Sequence, residues 1–146
     1  MAVKTKYKLV VQSPDQMRYV TTGDYYKVKG TWVVAVPVSG NDDYDFLGFI
    51  HELIELYLTQ RRGIPEPKIK KFDEWFERES AGGHFRQYPS PGHHPKAPYR
   101  REHLFASKVE RIVAKELGVD FKKYWEADDI VFEKVKKALR RKSKKR

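Results

Sequence analysis

His51, Glu52 and Glu55 fall within the stretch FIHELIELYL, residues 49–58, and their spacing has chemical content. On a helix, positions i and i+4 lie one above the other, so His51 and Glu55 share one side of a single turn. An imidazole and a carboxylate placed in that way can ligate one divalent ion. Glu52, at i+1, then stands alongside to take a proton from a water. A carboxylate in place of a second imidazole suits zinc and also accommodates Mn or Mg. The competing reading is the solvent stripe of an ordinary amphipathic helix.

The rest of that helix bears on the choice. At about 100° per residue, nine apolar residues between Phe46 and Leu58 cover roughly 200° of its circumference. The remaining sector holds Gly48, His51, Glu52, Glu55, Thr59 and Arg62. An arc that wide predicts a central helix packed on more than one side. The polar sector also lacks lysine, which abounds elsewhere. The helix follows directly on a predicted edge strand, an arrangement similar to that of metal-dependent peptidases of the zincin type.

A third ligand is expected from YRREHLFASKVERIVAKELG, residues 99–118. Its core face carries Phe105, Val109, Ile112, Val113 and Leu117, with Glu102 near the middle of that face and His103 at its margin. Small residues such as Ala106 and Ala114 let another backbone come near. His103 is the expected ligand, with Glu102 and Glu110 as alternatives. Against this, His103 and Glu110 can be surface residues, with Glu102 paired to an arginine. Asp73 lies at the edge of an apolar face made by Ile69, Phe72, Trp75 and Phe76. It is a candidate fourth ligand, a hydrogen-bond partner of a ligating histidine, or an exposed acid. His84, His93 and His94 are not expected to ligate, since adjacent histidines rarely serve one ion well.

The elements that must position these residues are legible in outline. YKLVV (7–11) and the hairpin YYKVKGTWVVAVPV (25–38) read as strands. Pro37 argues for an edge strand or a strand end, because proline cannot donate to the ladder. SGNDD (39–43) supplies an aspartate N-cap for a helix over 44–62. Helices follow over 65–80 and about 99–117, with one or two further segments after Asp120. Residues 80–98 form a long loop with four prolines and three of the five histidines, and loops of that length are often functional. The expected fold is α+β: a small N-terminal antiparallel sheet, then three to four helices, zincin-like in outline.

The chain of 146 residues suits a single domain over 1–135 followed by a basic C-terminal tail over 136–146. With no cysteine, disulfides, thiolate catalysis and cysteine-based zinc sites are excluded. The net charge of +10 is concentrated in KKALRRKSKKR, which holds eight of the 30 basic residues and no acid, leaving 22 against 20 elsewhere. Such a tail can contact nucleic-acid phosphates without sequence preference, or simply solubilise a frayed helix end. A single Asn beside abundant Lys and Glu is the composition that a thermophilic source shows. The apolar runs are too short for a membrane span or a secretory signal, so a cytoplasmic protein is expected.

Several blocks together resemble a family of small uncharacterised proteins from phage and prophage genomes. They are TTGDYY, YDFLGFIHELIELYL with RRGI, KFDEWFE, and PSPGHHPKAPYRREHLFASKVERIVAKELGVDF. The resemblance extends to about Tyr124 and leaves out the basic tail. It implies a phage or virus-like setting, hence a host cytoplasm. It also points to His51, Glu52, Glu55, Asp73, Glu102 and His103 as the matching polar positions. Three functions are carried forward: a zincin-like, peptidase-type metal-dependent hydrolase; a metal-dependent nucleotide phosphohydrolase; and a non-enzymatic nucleic-acid-binding module using the tail.

Overall fold

The computed structural model describes residues 2–145. Three strands, β1 (Tyr7–Gln12), β2 (Asp24–Val28) and β3 (Thr31–Pro37), form one sheet in the order β1-β3-β2. The hairpin β2–β3 is antiparallel and turns at Lys29-Gly30, both with positive φ (47° and 84°). Two such residues in succession match the twist of the flanking strands. Lys29 bears the steric cost that Gly30 escapes.

β1 joins the far side of β3 in parallel, with Tyr7 opposite Trp32 and Gln12 opposite Pro37. The sheet is therefore mixed, and β3 is its central strand. This corrects the expected all-antiparallel sheet, and of the two readings of Pro37 it removes the edge strand and keeps the strand end. The proline is the last residue of the strand, and the ladder continues past it through Val38 N–H to the Gln12 carbonyl at 2.8 Å. Segment 13–23 joins β1 to β2 across the C-terminal end of β3, since Gln12 pairs with Pro37 and Asp24 with Ala35. That route brings Tyr19 and Gly23 towards the helices.

Four helices follow: α1 (Asp42–Arg61), α2 (Glu66–Ala81), α3 (Arg100–Glu116) and α4 (Phe121–Lys144). The cap of α1 is Asn41 rather than an aspartate; its side chain accepts from Tyr44 N–H at 3.1 Å. Asp42, Asp43 and Asp45 then occupy the first turn, where acids suit the helix dipole. Asp120 caps α4, which is a single helix. The α+β class holds, with the sheet first and the helices after it.

α1 lies on β3, and Gly48 permits the approach: a Cβ there would stand 3.1 Å from Val36 Cγ1. Around Tyr25, Val34, Leu56, Ile69 and Tyr99 the sheet, α1, α2 and the start of α3 share one apolar cluster. The polar sector of α1 faces inward too. His51, Glu55 and Thr59 are 8%, 4% and 0% exposed, whereas Tyr57 is 58% exposed. A solvent stripe is thereby excluded for the His-Glu face. Further on, Val131 and Val135 of α4 pack on Met17, with Leu139 beside them. The segment expected as a tail thus begins as the last turns of α4; Arg146 lies outside the described residues. Among the described residues, no helix is long and apolar enough to cross a membrane.

Candidate metal centre

His51 and Glu55 on α1 meet His103 on α3. His51 Nε2 lies 3.1 Å from Glu55 Oε2 and 3.1 Å from His103 Nδ1, and His103 Nδ1 lies 2.9 Å from Glu55 Oε2. Three potential ligand atoms thus form a small, nearly equilateral triangle. Ligand bonds of about 2.0–2.2 Å place neighbouring donors roughly 3–3.5 Å apart, so the group can hold one metal ion with little adjustment. It is the one such group of three or more among the described residues.

The opposite atom of each of the three is occupied by a second partner. His51 Nδ1–H donates to Glu110 Oε1 at 3.2 Å, and Glu110 Oε2 accepts from Tyr124 OH at 2.7 Å. Glu55 Oε1 accepts from Tyr25 OH at 2.9 Å. His103 Nε2–H donates to Ser90 Oγ at 3.2 Å, and that hydroxyl donates in turn to His93 Nδ1 at 2.8 Å. Burial and the neighbouring His103 hold His93 down at about 4, so it is a neutral acceptor. Outer partners of this kind fix ring orientation, and they aim the inward nitrogens and carboxylate oxygen at one point.

The electrostatics agree. Burial alone would lower His51, but hydrogen bonds to Glu110 and Glu55 outweigh it and hold the imidazole well above its usual value. Burial would raise Glu55, yet the hydrogen bonds from His103 and His51 hold it at about 2. The centre therefore favours positive charge against an ionised Glu55.

Two glycines press on the site. A Cβ at Gly92 would fall 2.2 Å from His103 Cγ, and one at Gly23 would fall 2.1 Å from Glu52 Oε1. The turn Pro91–His93 thus lies close against His103, and segment 13–23 reaches Glu52. Glu52 stands in the wall of a cavity of about 430 Å³ that also contains His51, Glu55 and His103. Burial, with Glu55 close by, pushes the Glu52 carboxyl well above the usual carboxylate range. No hydrogen bond or ion pair engages it among the described residues.

Asp73, the candidate fourth ligand, lines the same cavity outside the triangle. It accepts from Tyr19 OH at 2.8 Å and from Tyr99 OH. Burial raises it to about 8 despite those bonds. Of the alternatives on α3, Glu110 supports His51 from behind, and Glu102 is buried 3.5 Å from Arg62 with Oε2 otherwise unbonded. His94 sits among Phe72, Phe85 and Tyr88, remote in role from the triangle.

Reasoning from sequence missed Tyr25, Tyr124, Ser90 and Gly92. Each acts across a tertiary contact that no local spacing encodes; the nearest signal was the SPGHH turn within a long loop. Comparison with protein-family models, with curated proteins and with solved structures finds no match to this chain.

Proposed function

We propose that this chain is a metal-dependent hydrolase of peptidase type. His51, Glu55 and His103 hold one divalent ion, and Glu52 serves as general base. The observation that carries the reading is the triangle of inward lone pairs whose outer atoms are all engaged. Two imidazoles and one carboxylate are the donor set of catalytic zinc, which makes zinc the first candidate ahead of Mn or Mg. An ion bound there would supply Lewis acidity and lower the pKa of water. Glu52 then removes a proton from the attacking water and passes it to the leaving amine as the carbon–nitrogen bond breaks. A divalent cation at the triangle also opposes the upward push on Glu52 and favours its ionised, basic form.

The charge of the cavity selects among substrates. Nine of the 20 acidic residues line it, against three of the 30 basic ones (Lys70, Arg86 and Lys136). Burial raises several of these acids, Asp73 to about 8 and Glu77 and Asp128 to about 7, and so trims the charge; the balance that remains disfavours the phosphates of a nucleotide and favours cationic groups. The phosphohydrolase reading is therefore the weaker one, and a basic peptide is the favoured substrate. Metal analysis of untagged protein should give about one zinc per chain, lost in His51→Ala, and the loaded protein should cleave lysine- or arginine-rich peptides. Nucleoside triphosphate hydrolysis without peptide cleavage would transfer the assignment to the alternative. Absence of bound metal would end both.

A further inference from the structure

The C-terminal half of α4 carries a one-sided basic surface that the metal centre does not use. Lys134, Lys137, Arg140, Arg141, Lys144 and Lys145 are all exposed, and none forms an ion pair among the described residues. At about 100° per residue they fall within one arc, opposite the side on which Val131, Val135 and Leu139 pack against Met17. Lys142, nearer the packed side, donates to the Asp15 carbonyl at 3.1 Å and ties the helix end to the body. The six cations thus sit on a docked helix and span about 16 Å at 1.5 Å per residue.

We propose that this stripe binds the phosphate backbone of nucleic acid, independently of base sequence. A row of fixed cations beside a charge every ~1.7 Å of duplex gains by releasing condensed counterions. The surface offers cations with no interleaved aromatic platform, so it reads phosphates and no bases. An anionic membrane is the less suitable polyanion. A helix lying in a lipid interface needs its apolar face free, and the apolar face of α4 is spent on Met17.

The test uses the full-length protein with a labelled duplex and a labelled single-stranded RNA, each of about 20 nucleotides per strand, titrated at several salt concentrations. The logarithm of affinity should fall linearly with the logarithm of salt. Lys137→Ala/Arg141→Ala/Lys144→Ala should weaken binding at least about tenfold and reduce the slope by about 2.7 for duplex or about 2.1 for RNA. Lys4→Ala/Lys6→Ala/Lys8→Ala removes equal charge from other exposed positions and should change affinity less than about twofold. Equal losses in both triples would reduce the effect to net charge and overturn the assignment. So would no binding at about 50 mM salt, or tighter binding to phosphatidylserine vesicles than to either nucleic acid. Unchanged helicity by circular dichroism checks that each triple folds, and unchanged zinc content keeps this outcome separate from that of the metal site.

Discussion

His51 Nε2 and His103 Nδ1 face each other at 3.1 Å across the gap between α1 and α3, and the far nitrogen of each ring is bonded to Glu110 or Ser90. Two imidazoles aligned in this way beside an ionised Glu55 leave a place for positive charge between two helices. The helices carry that charge requirement into the stability of the whole fold, because α1 also packs on the central strand.

Metal removal should therefore lower the unfolding temperature. With ion at a thousand times its Kd, binding adds about 4 kcal/mol to the native state. In a chain of this length that corresponds to roughly 10 °C. Calorimetry of untagged protein with and without chelator measures it. Equal midpoints would show that the triangle takes no metal under those conditions.

The pH dependence of this difference has a definite sign. His51 is raised in the metal-free fold, so its contribution is fully present below its unfolded pKa, about 6.5, and is lost as pH rises through the folded value. Glu55 is depressed to about 2, so its contribution holds above its unfolded pKa, about 4.3, and is lost as pH falls towards 2. Metal must displace the His51 proton. The gap in unfolding temperature between loaded and metal-free protein should widen as pH rises from about 6.5. A gap that narrows over this range would contradict the raised histidine.

Gly92→Ala should disturb the centre without touching a ligand. The added Cβ would fall 2.2 Å from His103 Cγ, so the ring or the turn has to move. A zinc affinity lower by about 10- to 100-fold is expected, the range typical of losing an outer partner. In a His103→Ala background the same change should have little further effect on affinity, and that double-mutant cycle isolates the contact. Additive losses would place the damage elsewhere.

How far the sequence reached follows from what each residue depends on. His51 and Glu55 needed only helical spacing, and His103 needed the observation that small residues flank a polar margin on a later helix. Both are local properties. Tyr25, Tyr124 and Ser90 arrive from β2, α4 and the long loop, and their place depends on packing among elements distant in the chain. The same reason hid the parallel pairing of β1, since the hairpin pattern is complete without it. Pro37 left two readings open because a strand end and a strand edge leave the same signature in sequence, and the strand end holds.

Asp73 and Glu52 share the cavity and should separate cleanly in experiment. Both oxygens of Asp73 are held by tyrosines, so Asp73→Asn should retain zinc at full stoichiometry, unlike Glu55→Gln. Because burial raises Asp73 to about 8, its ionisation opposes folding as pH climbs past its unfolded value. The asparagine variant should therefore gain on wild type progressively from about pH 4 to about pH 8 and hold that gain above it. Glu52→Gln should also keep its metal, since Glu52 lies outside the triangle. Losing the base should instead lower kcat on a basic peptide by about 10²- to 10⁴-fold with KM little changed. Retained activity in Glu52→Gln would remove Glu52 from the mechanism, and loss of metal in that variant would make it a ligand.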